Sequence, residues 1–108
     1  MYLLVVIAPV THADAIRKAM AAAGAGRIGN YDSCSFSNRG TGRFRPNDDA
    51  LPAIGLAGRL EEVEEERIEV AVLDDDLKAV LKAIVKAHPY EEPAIYVLPM
   101  ENYKDVIK

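Results

Sequence analysis

The side chains able to do chemistry are concentrated in two short segments of the 108-residue sequence. Segment 39–45 carries three arginines around two glycines, and segment 88–93 carries a histidine, a tyrosine, two glutamates and two prolines. Arginines hold anions, whereas imidazole and carboxylate groups bind divalent metals or transfer protons. Together with the histidine near the N-terminus, the candidate ligand-binding residues are His12, Arg39, Thr41, Arg43, His88, Tyr90, Glu91 and Glu92.

A built-in metal centre is not indicated by the spacing of these residues. The patterns H-x-x-H, C-x-x-C and H-E-x-x-H are absent from the sequence, although structural and catalytic metal sites need several donors at such fixed spacings. We therefore predict no resident cofactor. Adventitious capture of a divalent cation remains a hypothesis, with His12, His88 and Glu91 as candidate ligands.

Catalytic residues are not assigned either. Cys34 and the serines beside it have no base that the sequence places next to them. The glycine-rich segment 39–45 lacks the Lys-Ser/Thr ending of a phosphate-binding loop and does not precede a helix. We expect a protein that is not an enzyme.

Composition and charge limit the classes of protein and partner. Half of the residues are hydrophobic and 28% are charged, which is typical of a single globular domain over residues 1–108. The one cysteine cannot form an internal disulfide. The net charge of −4 divides into +4 over residues 1–46 and −8 over residues 47–108. We expect neither nucleic-acid nor membrane binding, since both need an extended basic surface.

The apolar run at residues 2–8 is interpreted as a core strand. It is rich in β-branched residues, has no basic residue before it, and ends at Pro9. A signal peptide requires a basic N-terminal region, and a membrane helix requires about 18 apolar residues. These features favour a cytoplasmic protein.

The N-terminal half then predicts a helix and a polar strand. Thr11 and Asp14 indicate an N-cap with a variant capping box, and Gly24 and Gly26 end the helix. Residues 30–37 alternate as a half-buried strand does. The segment 39–46 predicts a tight reversal, with Phe44 returning as a short second leg.

The C-terminal half predicts the remaining elements. Residues 60–73 indicate a strand with a bulge or a separate short strand before Glu66, because Leu60 and Val63 are out of phase with the alternation that follows. Residues 74–87 show the strongest helical periodicity, residues 94–98 form a last strand, and residues 101–107 a terminal helical turn.

This order predicts an α+β fold, the ferredoxin-like two-layer sandwich. It reads βαββαβ, with an antiparallel sheet of order 4-1-3-2 and an extra hairpin or loop excursion at residues 38–58. In that topology three connections meet at one end of the sheet, namely segments 9–12, 39–45 and 88–93. We expect a ligand pocket or a subunit contact there. The plainer alternatives are an exposed His12, a helix-capping His88, a core-packed Tyr90 and solvated glutamates.

Several motifs resemble those of a known family. They are residues 29–46 (GNYDSCSFSNRGTGRFRP), 58–63 (GRLEEV), 67–69 (RIE) and 87–94 (AHPYEEPA). Over essentially the whole chain, they are similar to the middle insert domain of the Nif-three-like family, of the NGG-one-interacting-factor, YqfO or YbgI type. The corner at residues 88–91, followed by a hydrophobic strand, also resembles the end of CutA, the divalent-cation-tolerance protein.

The resemblance implies a ferredoxin-like fold and carries three further expectations. Full-length Nif-three-like proteins hold a two-metal centre whose ligands lie in flanking segments that this chain lacks. CutA-type domains are related in architecture to PII signalling proteins, whose equivalent loops bind ligands. CutA-type domains form trimers through strand edges, so self-association as a trimer or dimer is expected.

Residues and resemblance together favour a non-enzymatic, oligomeric CutA/PII-like domain. We expect its loops to bind a small anionic ligand, a metal ion or a protein partner. The alternative is a metal-dependent hydrolase, or a subunit of one, related to the two-metal family.

Overall fold

The fold places four antiparallel strands in one sheet and two helices on one of its faces. The computed structural model describes residues 1–108. The sheet order β2-β3-β1-β4 is the predicted 4-1-3-2 order, so the ferredoxin-like α+β sandwich is confirmed. The elements are β1 (Tyr2–Pro9), α1 (Val10–Ala22), β2 (Phe36–Phe44), β3 (Glu61–Val72), α2 (Leu77–Ala87), β4 (Ala94–Pro99) and a short C-terminal α3 (Tyr103–Ile107).

The hydrophobic core lies between the sheet and the two helices. Alternate residues of β1 and of the second half of β3 point toward α1 and α2. Val5 points to the opposite face of this central strand, which has a paired strand on each side, and is also fully buried. This position explains the unbroken apolar run of β1. The main core residues are Leu4, Val6, Ala8, Ala13, Ile16, Met20, Ile68, Val70, Val72, Val80 and Ile84.

The predicted N-cap of the first helix is wrong. The helix begins at Val10, directly after Pro9, and no side chain caps it. Thr11 therefore already lies in the first turn, where its hydroxyl contacts Nδ1 of His12 at 2.9 Å. Asp14 pairs with Lys18 one turn later, at 3.3 Å, instead of closing a capping box.

The second strand begins and ends later than predicted. Residues 30–35 are not a strand, because the loop that contains them is closed on itself: the Cys34 N–H donates to the Gly26 carbonyl at 3.0 Å. The glycine-rich segment is not a tight reversal either. Residues 39–44 continue β2 and pair with residues 61–66 of β3, so the excursion covers residues 45–60 rather than 38–58.

The third strand is a single continuous strand of 12 residues, without the expected bulge or break. Its register is uninterrupted from Glu61, opposite Phe44, to Val72, opposite Tyr2. Leu60 is exposed and precedes the strand, while Val63 belongs to the sheet face opposite the helices. The apolar residues are out of phase because Val63 faces away from the helices, whereas Ile68, Val70 and Val72 face toward them.

Two strands, β2 and β4, form the outer edges of the sheet. Residues 61–64 pair only with residues 41–44 and form a two-stranded ribbon with them, and the molecule measures 53 × 23 × 21 Å. None of the helices has the length and apolar character that crossing a membrane requires. The predicted terminal helical turn is present as α3, where the Asn102 side chain accepts a hydrogen bond from the Lys104 N–H at 3.1 Å.

Candidate functional site

A cavity of about 370 Å³ opens at the end of the sheet where β1 finishes and β4 starts. Its floor is the helix-free face of the sheet, and its walls are the first part of the 45–60 excursion and the corner at residues 88–93. The lining mixes apolar groups with carboxylates. Its main members are Ile7, Phe44, Ile54, Glu65, Tyr90 and Glu91.

A glycine in β2 makes room for the floor of the cavity. Gly42 lies opposite Val63, and the Glu65 side chain lies across the backbone of Gly42. A Cβ atom on Gly42 would overlap Oε1 of Glu65. Gly40, two residues earlier on the same face, has nothing within 4 Å of the equivalent position. The absence of a side chain at residue 42 therefore allows Glu65 to be buried over the sheet.

Glu65 and Tyr90 form a hydrogen-bonded pair at this floor. Glu65 is only 6% exposed, and its Oε2 accepts a hydrogen bond from the Tyr90 hydroxyl at 3.0 Å. The Tyr90 ring packs against Phe44, with centroids 5.9 Å apart, and against His88 at 5.0 Å. Burial raises the pKa of Tyr90 well above its usual value, and the neighbouring Glu65 carboxylate raises it further. Tyr90 is therefore a neutral hydrogen-bond donor at physiological pH.

His88 is a structural side chain beneath the cavity. One ring nitrogen, Nε2, lies 2.8 Å from the Ile7 carbonyl oxygen, and the other, Nδ1, accepts the Tyr90 N–H at 3.2 Å. These two partners select the neutral tautomer that carries its proton on Nε2. Burial lowers the pKa of His88, with the Ile7 carbonyl and Glu65 acting in the opposite direction. Both nitrogens are therefore occupied in holding the corner to β1.

Glu91 joins the excursion to the corner. Its Oε1 accepts the Leu51 backbone N–H at 2.9 Å, a contact between residues 40 positions apart. Glu92 also lines the cavity, on its exposed side. The hydrogen bond between Glu91 and Leu51 holds the 45–60 excursion, which has no strand or helix of its own, as one wall of the cavity.

Only part of the set proposed from the sequence comes together. Arg43, Tyr90, Glu91 and Glu92 border the cavity, and His88 lies under Tyr90. The Arg43 guanidinium turns to Glu62, with Nε 3.2 Å from Oε1. The remaining three residues do not line it, namely Arg39 and Thr41, exposed on the other face of β2, and His12, exposed in α1.

The three metal-ligand candidates do not meet. No group of three or more histidine, cysteine, aspartate or glutamate side chains in the chain is arranged to hold a metal ion. Neither ring nitrogen of His88 is free, as described above, and Glu91 is bonded to Leu51. A cation bound by His12, His88 and Glu91 would need these contacts to break.

Sequence reasoning missed Glu65 and the excursion wall. Glu65 stands in the acidic cluster 61–66, where nothing distinguishes it from glutamates that face solvent. The only signal is the position of Glu65 relative to a glycine on the neighbouring strand. Gly42 faces the same side of the sheet as Glu65, and this is known only once the register of β2 and β3 is known. Pro52 and Ile54 lie in a segment without periodicity, so their position over the corner could not be inferred.

Comparison with known proteins finds sequences that this chain resembles over part of their length. No protein-family model matches it. A protein of Halalkalibacterium halodurans named "GTP cyclohydrolase 1 type 2 homolog" is 48% identical over 102 residues, which are 94% of this chain and 27% of the relative. The chain thus spans about a quarter of the length of the curated relatives it matches.

Solved structures give the same result. A Bacillus cereus protein related to NIF3 superposes with a TM-score of 0.81 at 48% identity, covering 94% of this chain and 26% of that one. The periplasmic divalent cation tolerance protein CutA from Archaeoglobus fulgidus superposes with a TM-score of 0.67 at 19% identity, covering 94% and 86%. The resemblance inferred from the motifs is therefore confirmed for one segment of the Nif-three-like proteins, and the CutA likeness is confirmed as a likeness of fold.

Proposed function

We propose that this chain, as the counterpart of one segment of Nif-three-like proteins, is a non-enzymatic, self-associating domain that binds a ligand or partner in the cavity at residues 44–54 and 88–94. The observation that carries the proposal is the contact of Glu91 with the Leu51 N–H. It holds an irregular segment over a mixed apolar and polar floor, which is the composition typical of small-molecule sites.

Binding suits the side chains of this site better than catalysis does. Neither histidine lines the cavity, and the two nitrogens of His88, which lies beneath it, are engaged with Ile7 and Tyr90. Tyr90 donates to Glu65 and has a raised pKa, so it does not serve as a base near neutral pH. We infer that Tyr90 and Glu65 shape and polarise the cavity and do not transfer protons.

The cavity can be tested by filling it. Ile54→Trp would occupy the space under the excursion, whereas Leu56→Trp places the same ring at an exposed position that does not line the cavity. We expect a thermal-shift screen of anions, amines, divalent cations and neutral metabolites to stabilise the parent and Leu56→Trp, but not Ile54→Trp. Equal stabilisation of the two variants, or no stabilisation of the parent by any compound, would contradict the proposal.

Self-association is supported by the open sheet. The edge strands β2 and β4 have no partner on their outer sides, and exposed edges pair readily with other chains. The helix-free face also exposes Phe36, Tyr96 and Leu98, which a second copy could cover. A trimer or dimer, as the CutA resemblance implies, would give a multiple of 11.8 kDa by light scattering. The mass of a single chain at tens of micromolar would contradict it.

A hydrolase subunit is the second candidate, favoured by the name of the relatives. They are called GTP cyclohydrolase 1 type 2 homologs. For this chain we expect no turnover of GTP with added Zn²⁺ or Mn²⁺. Metal-dependent release of product that is lost in His88→Gln would favour this candidate over the binding domain.

We also propose a cytoplasmic location. The apolar run at residues 2–8 belongs to the central strand β1, which is paired on both sides. Fractionation of cells that express the protein would test this, with recovery outside the cytoplasm as the contradicting result.

A further inference from the structure

The cavity contains a buried carboxylate that no cation of the chain neutralises. Glu65 is 6% exposed and takes part in no salt bridge, unlike the neighbouring Glu61, Glu62 and Glu66, which pair with arginines. Buried carboxylates without a cation are costly, because water no longer solvates the charge. A single hydrogen bond from Tyr90 compensates only part of this cost.

One oxygen of this carboxylate is left for a ligand. Oε2 accepts the Tyr90 hydroxyl, whereas Oε1 lies over Gly42 and has no donor in the chain. No fully buried side-chain oxygen or nitrogen lacks a partner, so Oε1 must keep a path out of the protein. Glu65 lines the cavity, and we infer that this path opens into it.

The rest of the lining suits a positive group. The tilted rings of Phe44 and Tyr90 line the cavity together with Glu65, and aromatic faces attract ammonium groups. Glu91 and Glu92 add two negative charges to the lining, which also includes Arg43 and Arg45. The Arg43 guanidinium is already paired with Glu62, outside the cavity.

We propose that the cavity binds a small organic amine, with its ammonium group donating to Oε1 of Glu65 beside Phe44 and its carbon chain against Ile7 and Ile54. This assignment rests on the proposed binding function of the same cavity and names the ligand class. It replaces the anionic ligand expected from the sequence, because an anion would approach Glu65 against like charge. A metal ion fits less well, since no three donor side chains are grouped.

The test compares three probes of the same size on the parent protein. Butylammonium, 1-butanol and butyrate differ in charge but share a four-carbon chain. In ¹H–¹⁵N NMR titrations, we expect butylammonium to shift the amide signals of residues 42–46, 52–54 and 90–92 saturably, and to bind at least about tenfold more tightly than butanol or butyrate, as one charge-assisted hydrogen bond allows. Equal or tighter binding of butanol or butyrate would overturn the amine assignment.

The variants Glu65→Gln and Glu64→Gln assign the effect to one carboxylate. Glutamine keeps the shape of Glu65 and an oxygen that accepts from Tyr90, while Glu64 is exposed on the other face of β3. We expect Glu65→Gln to lose about tenfold in butylammonium affinity and Glu64→Gln to retain it. Unchanged affinity in Glu65→Gln would overturn the proposal.

The outcomes separate this inference from the proposed function. If butyrate or a compound from the thermal-shift screen binds in the cavity and is blocked by Ile54→Trp, while butylammonium does not bind, the amine assignment fails and the binding function stands. If no probe binds, both fail. The probe comparison uses only the parent protein, so it remains decisive even if Glu65→Gln does not fold.

Discussion

The two halves of β3 are held in the same sheet by different forces. In the second half, Ile68, Val70 and Val72 are buried beneath the helices, so the strand is fixed by the hydrophobic effect. In the first half, residues 61–66 are all glutamate except Val63, and none of them belongs to the hydrophobic core. Backbone pairing with β2, pairing of Glu65 and Glu66 with the end of β1, and a few side-chain contacts such as Arg17 with Glu66 hold this half.

The difference teaches where a strand can be recognised from its sequence. Alternation of apolar residues reports burial on one face, and only the second half of β3 has such a face. The acidic half has charge partners across the ribbon instead, such as Glu62 with Arg43. These contacts depend on the register between β2 and β3, and this register cannot be inferred from the sequence of either strand alone.

The largest expected effect comes from removing core volume in the buried half. Ile68→Ala should lower the free energy of unfolding by about 2–5 kcal/mol, because the side chain is fully buried and leaves a cavity. Val63→Ala, in the acidic half, should cost less than about 1 kcal/mol, since Val63 is only half-buried. Chemical denaturation would measure both. Equal losses would show that the two halves are not held differently.

A second prediction concerns the fit of Glu65 over the ribbon. Gly42→Ala should destabilise the protein by about 1–3 kcal/mol, because the new methyl group overlaps the Glu65 carboxylate. Gly40→Ala is the matched control, with open space at the same face, and should be neutral within about 0.5 kcal/mol. Two similar values in thermal or chemical unfolding would contradict the buried position of Glu65.

A third prediction uses the pH dependence of the corner. The pKa of His88 is lowered in the folded protein from 6.5, so below pH 6.5 the unfolded chain binds more protons at this residue. Stability should therefore fall as the pH drops from 6.5 toward the lowered pKa, and less steeply in His88→Gln, which avoids protonation. The charge of His12 contributes to the lowered pKa of His88, so His12→Gln should slightly weaken this pH dependence without removing it. Parallel curves for the parent and His88→Gln would contradict the burial of a neutral imidazole.

The smallest expected effect is that of the ribbon's surface ion pair. Arg43→Ala removes the contact with Glu62, and both side chains are largely exposed, so the loss should be below about 1 kcal/mol. It should shrink further at about 1 M salt, where such pairs are screened. Denaturation at low and high salt would measure it. A larger loss that ignores salt would mean that the ribbon depends on this pair more than its exposure suggests.

The fold could be predicted where an element has at least one apolar face. β1, α2, β4 and the second half of β3 carry this signal, and with right-handed connections it is enough to select the sheet order. The polar β2 could not be placed because its strand residues, 36–44, include two glycines and two arginines that are also typical of a turn.

The site was predictable only in part. The corner at residues 88–93 was found because its residue types are unusual and its place after α2 follows from the topology. Glu65 was not found, because its burial depends on a missing side chain in another strand, at Gly42. The position of the excursion could not be predicted for a related reason. Glu91 accepts a hydrogen bond from the backbone N–H of Leu51, and nearly every residue type has such a group.

The ribbon also changes how the protein moves in solution. At 53 Å the molecule is more than twice as long as its other dimensions of 23 and 21 Å, so it tumbles and diffuses with more friction than a sphere of 11.8 kDa. A single chain should leave a gel-filtration column early, at the volume of a heavier sphere. Elution volume alone would then report a false dimer, and scattered light or sedimentation gives the true mass.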